Sequence, residues 1–417
     1  MLDRNRTSVG FIVAGLTAIV QCGCVMGPRM LQASRAPYNE VIQRTTAEQL
    51  LLNLVRLKYR ETPVFLDVGS VSAQFVFNQS ADIGGTLNEN IPFQPINPDV
   101  LRLGAGGGYQ ERPTITYTPL QGKDFVNRLM SPLSIETVLL LTRTGWRIDR
   151  VLPLTVQSMN GLENGTGASG PTPSLKPQYK DFFALASLLS ELQSRGALEL
   201  GARTTREPLS HPISADRIDA ADLIAAAQAG YEFTWSDDGR SFILKGDKTS
   251  LLWRVPTSAE LADTVSRIRE LLALDAERLE YSVTMGGGAS RTKSAGGPLR
   301  QSISMSTRSL LGVMFYLSHA IEAPARHVAE KLVTQTTDED GNPFDWNDVT
   351  GGLFRVHSSA RPPKRAAVAV RYRKYWYYID DADLDTKSTF ALLGQLFALQ
   401  AGEASTAAPV LTLPIGG

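Results

Sequence analysis

Histidine supplies most general bases and many metal ligands in proteins, and this sequence contains four histidines. They are His211, His319, His327 and His357, and none belongs to an HExxH motif or a Cys/His cluster. His319 and Glu322 are three residues apart, which is the spacing of half a metal site on one helix face. Two further ligands would have to come from elsewhere, so we predict no metal site and favour surface or structural roles.

An acidic run near the C-terminus has the composition of a calcium loop. It contains Asp380, Asp381, Asp383 and Asp385. An EF-hand loop that began at Asp381 would need Gly at position six and Glu at position twelve, where the sequence has Thr386 and Leu392. The run therefore favours a helix N-terminus capped by Asp383 or Asp385, with an irregular calcium site as the alternative.

Two glycine-rich stretches, Gly104–Gly108 and Gly286–Gly297, lack the spacing of nucleotide-binding loops. The first leads into a strand pattern, so the helix N-terminus that binds phosphate is missing, and the second has no Gly-Lys-Ser/Thr. We interpret both as mobile loops or bends. There is no GxSxG motif either, and we predict no cofactor.

The segment Arg371–Tyr378 interleaves aromatic and cationic residues. Aromatic faces with neighbouring cations can stack on sugars or bases. Strands also favour aromatic residues for packing alone, and a hairpin that turns at Arg373-Lys374 would bury one aromatic row. We favour packing; Tyr375, Trp376 and Tyr377 are the candidate residues of a ligand surface.

A glycan-acting enzyme would need two carboxylates about 5 to 10 Å apart across a cleft. Glu322 and Asp380 are the candidate pair, although nothing in the sequence brings them together. Because no catalytic motif is found, we predict that the protein is not an enzyme.

The overall composition is that of a globular protein. The chain has 417 residues, with 42 Lys+Arg against 42 Asp+Glu. Its length allows two or three domains. Zero net charge argues against a protein that binds nucleic acid by neutralising phosphates.

The N-terminus has the pattern of an export signal. A short charged start precedes an apolar run from Val9 to Val20. As a helix this run spans about 18 Å, well short of the roughly 30 Å hydrocarbon core of a bilayer. Gly23-Cys24 follows in the manner of a bacterial lipoprotein signal, so we predict cleavage after residue 23 and lipidation of Cys24. An ordinary secretory signal is the alternative.

Lipidation would hold the mature chain at a membrane through its acyl chains. Cys24 would then be the only cysteine, so the fold would contain no internal disulfide. Val25 and Met26 follow the cysteine with no Asp, which favours sorting to the outer membrane, facing the periplasm. Envelope proteins, glycan or further copies of the chain are the partners that such a location implies.

Several stretches besides the signal match a family pattern. They are residues 48–59 with 62–66, 117–120, and 377–381 through 412–414. Together with Cys24 they make the chain resemble an uncharacterised family of Gram-negative bacterial envelope lipoproteins. The resemblance implies a location in the envelope and brings no activity, ligand or functional residue with it.

Residues 63–118 predict a long β-hairpin. Apolar residues alternate along its first strand, 63–87, and the alternation changes sides beside Gly69-Ser70, which indicates a bulge or bend. A second strand, 108–118, follows an Asn/Pro/Gly-rich connection. An ordinary half-buried sheet has this alternation. A membrane-crossing strand has it too, and a ring of copies would then build an oligomeric outer-membrane pore or export component.

Helices alternate with hairpins along the rest of the chain, which predicts an α+β fold. We expect a signal (1–23), a tether (24–42), an N-terminal domain (43–157), a Gly/Pro-rich linker (158–178), a middle domain (179–284), a flexible loop (285–304) and a C-terminal unit (305–417). The predicted helices are 46–59, 123–130, 132–142, 181–195, 216–229, 257–279, 307–322 and 388–400, and the further strands are 231–236, 240–245, 353–357, 366–372 and 375–379. We predict a lipid-anchored envelope protein with a structural or interaction role.

Overall fold

A computed structural model of the chain describes residues 35–86, 100–171, 176–236, 239–286, 299–338, 340–350 and 352–401. They belong to two compact units. The hairpin unit contains Val64–Gly122, and the body contains Gln43–Pro63 and Lys123–Gln400. The predicted signal and Cys24 lie outside the described residues, whereas the end of the predicted tether, residues 35–42, is helical.

The hairpin unit contains two long antiparallel strands, β1 (Leu66–Thr86) and β2 (Val100–Pro119). The predicted hairpin is therefore confirmed, and we call this pair of strands the ribbon. The second strand begins at Val100 instead of at residue 108, so Gly104–Gly108 is part of a strand and not the predicted loop or bend. The predicted connection lies mostly in 87–99, outside the described residues.

The register of the ribbon shifts once, at Gly69, which confirms the predicted bulge. Val68 pairs with Tyr117 and Val71 pairs with Ile115, and these two partners are two residues apart on β2. The extra residue of the bulge therefore keeps Val68 and Val71 on one side of the ribbon. The predicted change of sides is wrong, because the bulge restores the phase that the sequence alternation loses.

Most described helices lie in the body. In chain order they are α1 (35–58), α2 (Lys123–Met130), α3 (Ile135–Arg143), α4 (Ile148–Thr155), α5 (Lys180–Ser194), α6 (Ala220–Gln228), α7 (Ala262–Leu272), α8 (Leu310–Ser318), α9 (Ala325–Ala329), α10 (Asn347–Thr350) and α11 (Leu384–Ala401).

Local capping explains where the observed helices differ from the predicted ones. Ser134 caps α3 by accepting a hydrogen bond from the Thr137 amide, so α3 begins at Ile135 instead of at residue 132. Helix α7 ends at Leu272 instead of near residue 279, because Ala273 adopts a left-handed conformation with a φ of 51°.

Eight strands of the body form one mixed sheet. They are β3 (Val156–Met159), β4 (Leu162–Glu163), β5 (Glu199–Pro208), β6 (Ile213–Ser214), β7 (Glu232–Trp235), β8 (Ser241–Arg254), β9 (Glu280–Met285) and β10 (Ser302–Thr307). The order is β4-β3-β10-β9-β8-β5, while β6 and β7 also pair with β8. Only β9 and β10 are parallel among these pairs. The α+β prediction is confirmed.

This sheet joins strands from all three predicted domains, so the chain does not divide where the sequence indicated. The predicted flexible loop 285–304 contains the start of β10, which pairs with β9 and β3. Residues 287–298 of that loop lie outside the described residues.

The main core lies between one face of this sheet and helices α3, α4 and α5. On α5, the side chains of Phe182, Leu185 and Leu192 are fully buried. Helix and sheet side chains together leave a purely apolar cavity of about 50 Å³ beside Trp253. Burial of the apolar side chains in this core stabilises the body.

A second, smaller sheet lies in the C-terminal part of the body. Its strands are β11 (His357–Ser359), β12 (Val368–Tyr372) and β13 (Tyr375–Ile379), in the order β11-β13-β12. Helix α11 follows this sheet and buries Phe390, Leu392, Leu393 and Leu396.

The predicted linker 158–178 is part of the folded body wherever it is described. Asn164 and Ala168 are fully buried in it, and Asn164 Nδ2 donates to the carbonyls of Pro153 and Val156. Regular structure in its described part is limited to the end of β3, the two residues of β4 and one short 3-10 turn, and tertiary contacts fix the segment in place. A flexible linker would not bury these groups.

Arg308 is the centre of these contacts and is only 1% exposed. Its guanidinium donates to the carbonyls of Pro153 and Val156 at 2.9 and 2.7 Å, to the carbonyl of Asn164 and to Ser169 Oγ. The same group lies 4.1 Å from the centre of the Tyr316 ring. Burial lowers the pKa of Arg308 to about 10, which leaves it charged at neutral pH.

Replacement of Arg308 by Leu should lower the free energy of unfolding by about 3 kcal/mol, since several buried carbonyls lose their donor at once. The measurement is urea unfolding followed by circular dichroism. Arg308→Lys should recover only part of the loss, because an ammonium cannot reproduce the planar fork. Arg326→Ala, at a position whose Arg–Glu330 ion pair is at the surface, is the control. Equal stabilities for Arg308→Leu and this control would contradict the assignment.

Candidate functional site

The aromatic segment forms the predicted hairpin. Strand β12 ends at Tyr372, β13 begins at Tyr375, and the two turn residues Arg373 and Lys374 have φ values of 46° and 73°. Positive φ at both central positions is the geometry of a tight turn that matches the twist of the strands.

The three candidate residues for a ligand surface do not share one surface. Tyr377 is fully buried. Tyr375 is half-buried, with its ring 5.0 Å from the ring of His327 in an edge-to-face arrangement. Trp376 points to the opposite side of the sheet, because adjacent residues of a strand alternate. Stacking of a sugar across all three is therefore excluded, and Tyr377 has a packing role.

Tyr377 belongs to a buried hydrogen-bonded chain. The Tyr59 hydroxyl lies 2.5 Å from the Tyr377 hydroxyl and 2.6 Å from His327 Nδ1. Burial raises the pKa of both tyrosines and lowers the pKa of His327, so all three groups are neutral near pH 7. These three hydrogen-bonded side chains join the end of α1 to α9 and β13.

The residues around Tyr59 extend these contacts, and we call residues 58–61 the root segment because the ribbon follows them in the chain. Lys58 Nζ donates to the carbonyl of His319 at 3.2 Å, and Arg60 Nε donates to Thr334 Oγ1 at 2.7 Å. Glu61 forms an ion pair with Arg373 at 2.8 Å. Each of the four consecutive residues thus bonds to a different part of the body.

Electrostatic shifts accompany this geometry. The hydrogen bond from Arg373 lowers the pKa of Glu61, which keeps the carboxylate ionised. Burial lowers the pKa of Lys58 to about 8. The Arg373 guanidinium also lies 5.0 Å from the centre of the Tyr59 ring, so one cation contacts both the carboxylate and the aromatic group.

His319 packs against other residues of the body. Its ring stacks on Trp346 with the ring centres 4.4 Å apart, and its Nε2 lies 3.2 Å from the carbonyl of Ala168. Burial, with a smaller effect from the Lys58 charge, lowers the pKa of His319 to about 3. Within the described ranges, no group of three His, Cys, Asp or Glu side chains could hold a metal ion.

Glu322 and Asp380 are each engaged by basic groups. Glu322 Oε1 accepts hydrogen bonds from Arg355 and lies 3.1 Å from His357 Nδ1. The backbone amide of Ala382 and the charge of Arg365 lower the pKa of Asp380. A general acid needs a raised pKa, so Asp380 does not have the property that the acid of a glycoside hydrolase requires.

The remaining acidic residues bear out the helix-cap interpretation. Asp383 Oδ1 accepts a hydrogen bond from the Thr386 amide at 3.0 Å, next to the start of α11. Asp385 instead forms an ion pair with Arg150, at 2.5 Å. Asp383 is therefore the capping residue of the two that the sequence allowed.

A cleft of about 550 Å³ lies along β5 and is lined by charged residues. Arg203 and Arg254 both pair with Glu280, at 2.7 and 3.1 Å, and Arg254 also pairs with Glu199. These carboxylates already have arginine partners, so the cleft contains an ion-pair network in place of free acid or base groups. Sequence reasoning missed it, because its residues come from β5, β8 and β9 with no local motif.

The ribbon differs from these sites in its exposure. Ile115 and Tyr117 are 42% and 58% exposed, although both are large apolar side chains on one side of β2. Val68 and Val71, which pair with them, continue this side onto β1. Exposed apolar surface on a long strand is typical of a segment that binds another surface.

Acidification should destabilise the fold through His319. In the folded state its pKa is about 3, whereas the unfolded chain takes up the proton near 6.5. The contribution is therefore complete above pH 6.5 and falls by about 1.4 kcal/mol per pH unit as the pH drops toward 3. His319→Gln should reduce the loss of unfolding free energy between pH 7.5 and pH 5 by about 2 kcal/mol.

Urea titrations at each pH measure this dependence. His211→Gln is the matched control, because His211 is exposed. If His319→Gln and His211→Gln lose stability equally on acidification, His319 does not couple folding to pH.

Loss of the Tyr59 hydroxyl should also destabilise the body. Tyr59→Phe leaves both Tyr377 and His327 without their shared partner, at a cost of about 1–3 kcal/mol in the free energy of unfolding. Tyr231→Phe, at a tyrosine that is 43% exposed, should change it by less than about 0.5 kcal/mol. Thermal unfolding of both variants measures the two effects. Equal melting temperatures would show that the hydrogen bonds of Tyr59 do not stabilise the body.

Comparisons with known proteins identify no family for this chain. No family model, curated protein or solved structure matches the chain. In the part of the chain that the structure covers, no helix is both long and apolar enough to span a bilayer.

Proposed function

We propose that the protein is a lipid-anchored component of the Gram-negative cell envelope with a structural or interaction role. The support is the N-terminal pattern, in which an apolar run too short to span a bilayer leads to Gly23-Cys24. Acylation of Cys24 would hold the chain at the outer membrane, with the body in the periplasm.

The ribbon is the interaction element in this proposal, and it is the observation that carries it. Twenty residues of β2 pair with β1 over a length of about 65 Å, at roughly 3.3 Å per residue. No third strand of the described chain pairs with either one. A two-stranded hairpin alone is marginally stable in water, so a ribbon of this length requires a partner.

A pore or export component is the second candidate, and the register favours it. The positions that pair in phase with Val71 and Ile115 are mostly apolar: Ala73, Phe75, Phe77, Tyr109, Leu103, Ile83 and Leu101. The alternate positions are rich in Ser, Thr, Asn, Gln and Gly. A strand needs about 10 residues to cross a membrane, so the ribbon is long enough.

A periplasmic glycan-binding or glycan-acting role has less support. Tyr377 is buried, so the aromatic segment does not offer three adjacent rings to a sugar. Glu322 and Asp380 are paired with arginines. We therefore propose a role without catalysis.

Cys24→Ser should release the protein from the membrane fraction, because the serine cannot be acylated through a thioether. Fractionation of cells and the intact mass of the purified protein measure the result. Cys22→Ser is the matched control, since residue 22 lies before the proposed cleavage site, and it should remain membrane-bound with its acyl chains. Membrane retention of Cys24→Ser at the level of this control would rule out the lipid anchor.

A further inference from the structure

We infer that the partner of the ribbon is a second copy of this chain, and that the β1 edge of one copy pairs with the β2 edge of the next. The inference rests on the proposed function, in which the ribbon is the interaction element of an anchored protein. It names the partner and the pairing of that element.

The β1 edge of the ribbon lacks the residues that usually prevent strand pairing. Residues 70–86 of β1 contain no Pro, Lys or Arg and only one charged residue, Asp82. Soluble proteins protect such edges with lysine, proline, bulges or a covering element. The bulge at Gly69 protects only the end of β1 nearest the body in sequence, so the rest of this edge has the composition of a strand that pairs.

The length of β1 limits which strand could pair along its whole edge. A strand that satisfies this edge must be about 20 residues long and must alternate in the same phase. The longest described strand outside the ribbon is β8, with 14 residues, and it already pairs with β5, β6, β7 and β9. Among the described strands, β1 and β2 alone have the required length. A second copy supplies a strand of matching length and pattern.

The charges of the two strands favour pairing of β1 with β2 over pairing of two β1 or two β2 strands. Strand β1 contains Asp67 and Asp82 and no cation, whereas β2 contains Arg102, Glu111 and Arg112. Two β1 edges would bring together four negative charges, and two β2 edges would bring together a net excess of positive charge. Pairing β1 with β2 combines opposite net charges, which is the favourable arrangement across strands.

The direction of the strands also favours pairing of β1 with the β2 of a neighbouring copy. If two β1 strands pair in the antiparallel manner, the two ribbons point in opposite directions. Copies that are anchored to the same membrane leaflet must point in the same direction. Antiparallel pairing of β1 with the β2 of a neighbour achieves this, because β1 and β2 run in opposite directions within each ribbon.

This arrangement is head-to-tail, since each copy contributes one edge of each kind. Head-to-tail contacts generate a ring when the rotation between copies closes. A closed ring leaves no ribbon edge unpaired. The inference therefore predicts a symmetric oligomer in which every copy has two neighbours.

Disulfide trapping in the full-length protein tests the pairing. Ser70→Cys places one thiol on β1, and Thr114→Cys, Thr116→Cys or Thr118→Cys places one on β2; all four positions are exposed. One β1 variant and one β2 variant with different affinity tags are co-expressed, and membranes are oxidised before detergent extraction. We expect a dimer that contains both tags for at least one β2 position.

The same variants expressed singly are the matched controls. In the proposed pairing, two β1 strands of neighbouring copies are about 10 Å apart, which is too far for a disulfide between equivalent positions. Ser70→Cys alone should therefore remain monomeric on denaturing gels. Ser194→Cys, at an exposed position of the body, should give no mixed-tag dimer with any β2 variant.

Several outcomes would overturn the inference. They are a monomer when the detergent extract is sized, dimers of Ser70→Cys alone as abundant as the mixed dimers, or no mixed dimer at any of the three β2 positions. A disulfide to a different envelope protein would overturn it too, while leaving the proposed interaction role intact. An unacylated Cys24 would instead remove the proposed anchor, and the two failures are distinguishable.

Discussion

The buried guanidinium of Arg308 is the interaction on which the body most depends. It is a cation without a carboxylate partner among the described residues, and backbone carbonyls and one aromatic ring solvate it instead. Removing a charge from water is costly, so the arrangement is stable only while all of these acceptors stay in place. The acceptors lie on α4, on β3, which follows it directly, and on the glycine-rich segment after them, so one side chain holds that segment against the junction of α4 and β3.

The root segment also joins parts of the body that are far apart in the sequence. Four consecutive residues, Lys58 to Glu61, bond to four different places just before the chain leaves for the ribbon. These contacts therefore fix residues 58–61 within the body. An interaction element that is long and exposed needs such an attachment, because otherwise its partner would have to order both the ribbon and its origin.

Local patterns in the sequence predicted the elements well where neighbouring residues determine the geometry. The turn at Arg373-Lys374 and the bulge at Gly69 follow from short-range periodicity, and the structure has them. The domain boundaries could not be found in this way. Glycine and proline at 158–178 indicate irregular backbone, but irregular backbone is compatible both with a linker and with a buried segment. Contacts that are distant in sequence distinguish the two: Arg308, which donates to the carbonyl of Asn164, lies 144 residues away, and nothing near residue 164 predicts it. The root segment and the cleft beside β5 were missed for the same reason, since their contacts are long-range.

The bulge at Gly69 limits how the ribbon can vary between related sequences. One extra residue on one strand keeps the two ends of that strand in phase, and a Cβ at this position would approach Thr118 Oγ1 to 3.0 Å. A single-residue insertion or deletion farther along either strand would exchange the apolar and polar sides of everything beyond it. Length changes in homologous ribbons should therefore occur as matched pairs of residues on both strands, or be confined to the segment 87–99.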